Sequence, residues 1–258
     1  MTERYSSTEM MTVAAARALR NNDICFVGIG MPSAACNLAR LTHAPDITLI
    51  YESGTIATKP DVLPLSIGDG ELCDTALTTV TVPEMFRYWL QGGRMTVGFL
   101  GGAQIDRFAN LNTTVVGPYE KPKTRLPGGG GAPEISIACG EIFIIKRQAP
   151  RSFVNKLDFV TSLGHGQGGD ERARLGIRTK GPTKLFTDLA VYEPDPQTRE
   201  MSVVSIHPGV TREQVQANAG WPVRYAANVI ETPAPTEQEL ATLRELHERT
   251  ARAHGEAA

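Results

Sequence analysis

The sequence lacks any apolar run close to the roughly 20 residues that a helix needs to cross a membrane. Its first residues are polar and acidic, unlike the start of a secretory signal peptide. Charge of one sign is not in excess either, because 26 basic and 28 acidic residues leave a net charge of −2. A protein that binds nucleic acid through its bulk charge would be strongly basic. We therefore expect a cytoplasmic protein that contacts neither membranes nor nucleic acids.

Cysteine is scarce, and the residues that build metal sites are not grouped. The chain has four cysteines without a C-x-x-C pair and five histidines without an H-x-x-x-H or H-E-x-x-H pair. We expect reduced thiols, no disulfide framework and no metal site. The cysteines are Cys25, Cys36, Cys73 and Cys139.

The glycine motifs do not match the common nucleotide-binding loops. No G-K-[ST] follows a glycine cluster, which excludes a Walker loop. Gly28-Ile29-Gly30 begins like a dinucleotide fingerprint, but Ser33 occupies the position of the third glycine. Two interpretations of Gly28–Gly30 remain open: a loop that brings backbone N–H groups to a ligand, or a tight turn between a strand and a helix.

The order of apolar segments predicts an α/β protein. Ile24–Val27 and Ile47–Tyr51 are strand-like, and the helical pattern of Ser33–Leu41 lies between them. Such a βαβ unit implies parallel strands with a helical crossover. We therefore predict an open, mostly parallel sheet flanked by helices, formed by residues 1–258 as a single domain.

Capping boxes predict the first and the last helix. Ser6-x-x-Glu9 begins a helix that runs to Arg20, and Thr236-x-x-Glu239 begins a final helix over about 236–252, with a frayed tail after 253. The other predicted helices are Pro83–Leu90 and Thr211–Ala217. The other predicted strands are Met95–Leu100, Ile135–Ala138, Ile142–Lys146, Phe159–Thr161, Lys184–Tyr192 and Ser202–Ile206.

Two segments carry candidate chemistry. Tyr51-Glu52-Ser53-Gly54 ends a predicted buried strand with a carboxylate on a turn, and ligands of open α/β sheets bind beyond the carboxyl ends of the strands. Gly128–Gly131 lets backbone amides approach developing negative charge, as an oxyanion site requires. The alternative interpretations are a solvated turn glutamate and a flexible loop.

Several motifs, in this order along the chain, resemble the β subunit of class I CoA-transferases, and the glutaconate CoA-transferases in particular. The resemblance extends from Met10 to about Pro222, and the order of the motifs is its specific signal. The motifs are Ile50-Tyr51-Glu52-Ser53-Gly54, Gly101-Gly102-Ala103-Gln104-Ile105-Asp106, Asn110-Leu111-Asn112, Lys123-Thr124-Arg125, Gly128–Ala132 and Asn155-Lys156-Leu157-Asp158-Phe159-Val160-Thr161-Ser162.

The resemblance implies a class I CoA-transferase fold and a role for each matching residue. Glu52 matches the nucleophile that carries CoA as a glutamyl thioester. Gly130 and Gly131 match the oxyanion donors, and Gly30, Asn110 and Asn112 are assigned to the coenzyme pocket. Coenzyme A acts as a co-substrate, so no cofactor is implied.

The same resemblance implies a partner and leaves the substrates open. Family members pair α and β subunits, usually as a heterotetramer, and this chain matches only the β half. The substrates are an acyl-CoA and a carboxylic acid, and Ser66, Thr78 and Arg87 are candidates for the acyl pocket. Three alternatives remain open: an acyl-CoA hydrolase, a decarboxylase or ring-opening enzyme of the same fold, and a non-catalytic subunit that stabilises its partner.

Overall fold

The computed structural model describes residues 4–255 and divides the chain into two compact units. The first unit contains the chain up to Phe99 together with the chain from Ala234 onward, and the second unit is Leu100–Pro233. The single domain over residues 1–258 stays a prediction. The predicted frayed tail after residue 253 falls mostly outside the described residues.

The first unit combines five short strands with helices. Its elements are α1 (Ser7–Arg17), β1 (Ile24–Phe26), α2 (Met31–Leu41), β2 (Thr48–Ile50), β3 (Thr55–Ile56), α3 (Gly70–Asp74), β4 (Thr78–Thr79), α4 (Val82–Glu84), a π-helix (Met85–Leu90), β5 (Val97–Leu100) and the last helix of the chain, which is α8 (Glu237–Ala253).

The sheet of the first unit has the order β5-β1-β2-β3-β4. Strand β1 pairs in parallel with both β2 and β5, whereas β3 and β4 are added antiparallel. Helix α2 connects β1 to β2, so the predicted βαβ unit is confirmed. The carboxyl ends of β1, β2 and β5 consequently meet at one edge of this sheet.

The predicted capping boxes of the first unit are both present. The Glu9 N–H donates to Ser6 Oγ over 3.2 Å, and the Ser6 N–H donates to the Glu9 carboxylate over 2.7 Å. The same reciprocal pair joins Thr236 and Glu239 at the start of α8. Each box satisfies N–H groups that a helix start leaves without partners. Helix α1 ends at Arg17, three residues before the predicted end.

Helix α8 packs on the amino-terminal helices through one apolar face. Leu240, Leu243 and Leu246 are buried, as their helical spacing predicts. Beside this face, the Arg17 guanidinium bonds the Glu239 carboxylate over 2.6 Å and ties α1 to α8. The carboxy-terminal helix is therefore an integral part of the first unit.

The second unit contains a five-stranded sheet and two small two-stranded sheets. The large sheet has the order β14-β13-β12-β11-β10, with parallel pairing in β10–β11 and β13–β14 and antiparallel pairing elsewhere. The small sheets are β6–β7 and β8–β9. The elements are β6 (Gln104–Ile105), β7 (Leu111–Asn112), β8 (Val115–Val116), β9 (Thr124–Arg125), α5 (Ala132–Ala138), β10 (Glu141–Ile145), α6 (Glu171–Arg174), β11 (Pro182–Phe186), β12 (Ala190–Pro194), β13 (Met201–Ile206), α7 (Arg212–Ala217) and β14 (Arg224–Glu231).

The strand predicted over Ile135–Ala138 is wrong, because the segment belongs to helix α5. A strand would place Ile135 and Ile137 on the same face, yet Ile135 is buried and Ile137 is exposed. Gly131 caps the helix and Pro133 lies in its first turn, a position that proline favours. Four residues are too few to distinguish the period of a helix from that of a strand. Gly131 and Pro133 are the features of the sequence that indicate a helix here.

The prediction of one strand over Lys184–Tyr192 is also wrong. Strands β11 and β12 form an antiparallel hairpin, and the chain turns at Thr187. The Thr187 hydroxyl accepts hydrogen bonds from the N–H groups of Leu189 and Ala190 over 3.1 and 2.9 Å, and it thereby stabilises the turn.

Phe159–Thr161 is a further wrong prediction, because this segment forms no regular strand. Phe159 and Val160 are exposed, and the nearest ladder contact is an isolated bridge between Ser162 and Leu111. The Phe159 ring stacks on the Tyr119 ring at the surface. Its apolar character therefore reflects this contact and not burial in a strand.

The helix predicted over Pro83–Leu90 is present but is wound more widely than expected. After α4 the chain forms the π-helix, whose end is marked by a 2.8 Å bond from the Gln91 N–H to the Phe86 carbonyl. A Cβ on Gly92 would lie 2.1 Å from the Tyr88 carbonyl oxygen. Only glycine therefore fits where the chain leaves this helix.

Candidate active site

Two loops meet at the carboxyl edge of the parallel strands in the first unit. β1 leads into the loop Gly28–Gly30, and β2 leads into the turn Tyr51–Gly54. The strands are in register, Phe26 beside Ile50, and the Val27 N–H donates to the Ile50 carbonyl over 2.9 Å. The structure thus brings Gly30 and Glu52 to the same edge, where open α/β sheets bind their ligands.

The turn that carries Glu52 closes a hairpin between β2 and β3. The Gly54 N–H donates to the Tyr51 carbonyl over 3.0 Å, and the Tyr51 N–H donates to the Thr55 carbonyl over 3.1 Å. Gly54 has a φ of +106°, and a Cβ there would lie 1.9 Å from the Val80 carbonyl oxygen. The turn is therefore compact and specific to glycine, which fixes the backbone of Glu52.

The Glu52 side chain is half-buried and has no partner among residues 4–255. No hydrogen bond or ion pair joins its carboxylate to another described group, whereas most of the partly buried carboxylates in this chain are paired. A carboxylate held on a rigid turn without a partner is free to react with a ligand.

Two hydroxyl groups shortly after Glu52 in the chain have no hydrogen-bond partner among the described residues. Ser53 Oγ and Thr55 Oγ1 are both buried and bond to no group in the described chain. A buried hydroxyl without a partner costs about 1–3 kcal/mol, so a ligand that bonds to these two groups would recover part of this free energy. Sequence reasoning assigned no role to these hydroxyls, because their burial depends on contacts that the local sequence does not reveal.

A buried hydrogen bond ties the turn to the start of α2. The Tyr51 hydroxyl lies 2.7 Å from Ser33 Oγ, and both residues are completely buried. Burial raises the pKa of Tyr51 well above its usual range, so the phenol keeps its proton. The bond joins the turn that carries Glu52 to the helix that follows the Gly28–Gly30 loop. No pattern in the sequence predicts it.

Replacing Tyr51 by Phe should lower the free energy of unfolding by about 1–2 kcal/mol, because Ser33 Oγ then stays buried without its partner. The exposed Tyr88, replaced by Phe in the same unit, should change it by less than about 0.5 kcal/mol. Urea unfolding of both variants measures the difference. Equal stabilities would show that the bond between Tyr51 and Ser33 contributes nothing to the fold.

Gly30 caps helix α2 from an exposed position. Its φ of +80° favours glycine, and a Cβ there would meet nothing within 4 Å. The N-terminus of an α-helix presents free N–H groups and a partial positive charge, which suits an anionic ligand. Its contact with the coenzyme stays a prediction.

Gly130 and Gly131 lie at the start of helix α5 in the second unit. Gly130 has a φ of +49°, is exposed, and has no atom within 4 Å of a Cβ built on it. Across the described part of the chain, neither glycine donates its N–H to another group. Two adjacent N–H groups without an acceptor are what an oxyanion site needs, and their catalytic role stays a prediction.

Asn110 and Asn112 are buried, and their amide groups are engaged within the second unit. Asn110 Oδ1 accepts from the N–H groups of Gly164 and Gly166 over 2.8 and 3.1 Å. Asn112 Nδ2 donates to Gln104 Oε1 and to the Val115 carbonyl, each over 2.7 Å. Both side chains thus hold neighbouring loops in place. Coenzyme contact stays a prediction for both residues.

Asn110 also belongs to the lining of a surface cavity of about 420 Å³ in the second unit. Asp106 lies on the same wall, where burial raises the pKa of its carboxyl group. The cavity is further lined by Arg107, Lys156 and Gln167. The sequence predicted Asn110 at a pocket wall but gave no sign of Arg107 and Gln167 beside it.

Residues 4–255 contain neither a helix able to cross a membrane nor a cluster of metal-ligating side chains. No helix there combines the length and the apolar composition needed to cross a membrane. Nor does that range contain a group of three or more His, Cys, Asp or Glu side chains placed to hold a metal ion.

Comparison with known proteins gives one consistent family. Residues 8–218 match the family model described as Coenzyme A transferase. The B subunit of the 3-oxoadipate CoA-transferase of Pseudomonas knackmussii is 63% identical over 252 residues, which cover 98% of this chain and 97% of the relative. The cholesterol ring-cleaving hydrolase IpdB subunit of Mycobacterium tuberculosis is 27% identical over 250 residues, 92% of each chain.

A solved structure shows the same architecture. The crystal structure of glutaconate coenzyme A-transferase from Acidaminococcus fermentans matches with a TM-score of 0.87 and 31% identity over 94% of each chain. In sequence, the B subunit of that enzyme is 33% identical over 247 residues, covering 93% of this chain and 92% of the relative. The predicted α/β class and class I CoA-transferase fold are confirmed, as is the resemblance to glutaconate CoA-transferase.

Proposed function

The chain belongs to the coenzyme A transferase family, and from this premise we propose that Glu52 carries coenzyme A as a covalent thioester during transfer. The chain is the β subunit of a CoA-transferase and works with an α subunit on acyl-CoA and carboxylic acid substrates. We also propose that two α and two β subunits form a heterotetramer and that it lies in the cytoplasm.

The observation that carries this proposal is the unpartnered Glu52 carboxylate on its rigid turn. One carboxylate oxygen attacks the carbonyl carbon of the donor thioester, and the C–S bond breaks to release CoA thiolate. This leaves an anhydride between the acyl group and Glu52. The thiolate then attacks the Glu52 carbonyl carbon, which forms the glutamyl-CoA thioester and releases the donor acid as a carboxylate.

The second half of the reaction reverses these steps with a different acid. The acceptor carboxylate attacks the glutamyl thioester, and the released thiolate attacks the acceptor side of the new anhydride, which restores Glu52. Each attack places negative charge on a carbonyl oxygen. The free N–H groups of Gly130 and Gly131 are the donors that we assign to this charge. The cycle needs no metal or organic cofactor, because CoA enters as a co-substrate.

The acceptor that we propose is 3-oxoadipate or a similar dicarboxylic 3-oxo acid. The support is the relative named as the B subunit of a 3-oxoadipate CoA-transferase, which is 63% identical over nearly the whole length of both chains. The pocket candidates Ser66, Thr78 and Arg87 are exposed in the first unit, so each is accessible to a ligand. Their contact with the acyl group stays a prediction.

Mass measurement of the β chain tests the proposed reaction. We expect the copurified α and β subunits, incubated with a panel of acyl-CoA donors and no acceptor, to give a β chain heavier by one CoA less one water. Peptide mapping should place this adduct on the Glu52 peptide, and 3-oxoadipate should remove it.

The same experiment separates the alternatives. Consumption of the acyl-CoA without a Glu52 adduct would replace transfer by hydrolysis, the type of reaction named for the ring-cleaving relative. An adduct confined to the α chain would make the β chain a non-catalytic subunit.

A further inference from the structure

A basic hairpin in the second unit has no role in the mechanism above. It spans Val115–Arg125, and Lys121, Lys123 and Arg125 gather at its carboxy-terminal end. All three side chains are exposed. Lys123 lies close enough to Asp158 for the two charges to interact, and the ion pairs among the described residues include none of the three cations. A cluster of exposed cations is the usual contact for the phosphate groups of a ligand.

The cation at the end of the hairpin is held in position by aromatic rings. The Arg125 guanidinium carbon lies 4.7 Å from the centre of the Tyr119 ring, and Arg125 Nη2 donates to the Tyr119 carbonyl over 3.1 Å. The Tyr119 ring stacks on Phe159, with 5.6 Å between centroids and 26° between planes. A guanidinium that stacks on a ring and bonds to a carbonyl has its plane fixed, which suits contact with a planar or anionic ligand group.

This stack of Arg125, Tyr119 and Phe159 presents flat surfaces to solvent. Tyr119 is 51% exposed and Phe159 is 36% exposed. Purine bases stack on aromatic rings and on guanidinium planes, and each base stacked in this way contributes about 1–3 kcal/mol to binding. The hairpin therefore combines a platform for a base with cations for phosphates.

A hydrogen-bond network makes the hairpin rigid. Asp158 Oδ2 accepts from the Gly117 N–H over 3.1 Å and from Gln104 Nε2 over 2.8 Å. Gln104 is in turn held by Asn112, whose Nδ2 donates to Gln104 Oε1 over 2.7 Å. The buried Asn112 thus stabilises the hairpin through its hydrogen bond to Gln104. A ligand that binds there loses little affinity to ordering of the protein.

The hairpin is joined directly to the glycine run assigned to the oxyanion. Gly130 follows Arg125 by five positions, so their Cα atoms lie at most about 18 Å apart. Between them the Leu126 N–H donates to Thr114 and the Gly128 N–H to Thr113 over 3.0 and 2.9 Å, so the linking segment is fixed. Coenzyme A carries a thioester at one end and a phosphorylated adenosine at the other, so a ligand that reaches both segments needs both kinds of contact.

We propose that the basic hairpin binds the nucleotide end of coenzyme A, with Lys123 and Arg125 on its phosphate groups and the stack of Arg125, Tyr119 and Phe159 against its adenine. This inference rests on the proposed function, which places the thioester at Gly130 and Gly131. It assigns a function to the Lys123-Thr124-Arg125 motif.

Two double variants of the αβ complex test the proposal. Lys123→Gln with Arg125→Gln removes two charges from the hairpin, and Arg151→Gln with Arg178→Gln removes two charges from exposed positions elsewhere in the second unit. We expect the KM for acyl-CoA to rise by about tenfold or more in the hairpin variant and by less than about twofold in the control. The kcat at saturating acyl-CoA and the KM for the free acid should change by less than about threefold in both.

Two probes identify the part of coenzyme A that is bound. The inhibition constant of 3′,5′-ADP against acyl-CoA should rise in the hairpin variant by the same factor as the KM. A dephospho-CoA thioester lacks the 3′-phosphate. If the hairpin variant raises the KM only for the full coenzyme, the hairpin holds the 3′-phosphate, and if it raises both values equally, it holds the diphosphate.

An unchanged KM for acyl-CoA in the hairpin variant, or an equal rise in the control variant, would overturn the hairpin site. The glutamyl-CoA adduct keeps this outcome separate from the reaction itself. A hairpin variant that still forms the adduct on Glu52 at low acyl-CoA refutes only the nucleotide site, whereas absence of the adduct in the unmodified complex refutes the proposed function.

Discussion

Replacing Glu52 by Gln should lower the kcat of the αβ enzyme by about a thousandfold or more and abolish the covalent CoA adduct. The amide has nearly the same shape as the carboxylate but lacks its nucleophilic oxygen, so neither the anhydride nor the thioester can form. The measurement is the rate of acyl-CoA consumption with acceptor present, together with the mass of the β chain.

The substitution should leave the fold intact. Because the Glu52 carboxylate bonds to no other group within residues 4–255, its neutralisation removes no contact inside this chain. The free energy of unfolding should change by less than about 0.5 kcal/mol. Glu248→Gln is a matched control on the surface of the same unit, and it should retain full activity.

Glu52→Asp distinguishes a nucleophile from a simple negative charge. The shorter side chain keeps the carboxylate but withdraws it by about one bond length, and a misplacement of that size costs about a hundredfold in rate. A Gln variant with full activity, shown by mass measurement to have kept its amide, would rule out the covalent mechanism. Full activity of the Asp variant without any covalent CoA adduct would show that only the charge matters.

The sequence predicted best those features that depend on local contacts. The two capping boxes act within one helical turn, so Ser6 and Thr236 mark their helices without reference to the rest of the chain. The βαβ unit was predicted for a similar reason, because its two strands and its helix each have a clear apolar period. The position of Glu52 at the end of β2 followed directly from this unit.

The wrong or missing predictions concern segments that are too short to show a period or whose structure depends on distant partners. Ile135 lies in a helix because Gly131 and Pro133 begin one, although its short apolar run also fits a strand. Strands β6–β9 have two residues each, too few for any period to be visible. Their pairing depends on side-chain bonds such as that from Asn112 to Gln104.

The same distinction between local features and features that depend on distant contacts applies to the candidate site. The local sequence places Glu52 on the turn after a strand and the glycine run in a loop, whereas their catalytic roles rest on the family resemblance and stay predictions. The sequence could not show that the amides of Asn110 and Asn112 are engaged inside the protein, nor that Ser53 Oγ is buried without a partner. These properties arise only when separate loops pack together.

Replacing Gly130 by Ala should lower the kcat of the αβ enzyme by about a hundredfold or more if Gly130 and Gly131 serve the oxyanion. A Cβ at this position meets no protein atom within 4 Å, so it would project into the space that the substrate needs. Obstruction or displacement of one oxyanion donor costs about 10²–10³-fold in kcat in other enzymes. Steady-state kinetics at saturating acyl-CoA measures the effect.

Gly169→Ala provides a matched control for the cost of the substitution to the backbone. Gly169 lies in the same unit, is exposed, has a φ of +58° against +49° for Gly130, and likewise has nothing within 4 Å of an added Cβ. Both variants should therefore lose a similar stability of about 1–2 kcal/mol. Because only Gly130 is assigned to the reacting carbonyl, only its variant should lose activity beyond this common cost. Equal activities in the two variants would remove Gly130 from the site while leaving the role of Glu52 intact, since the covalent adduct is measured independently.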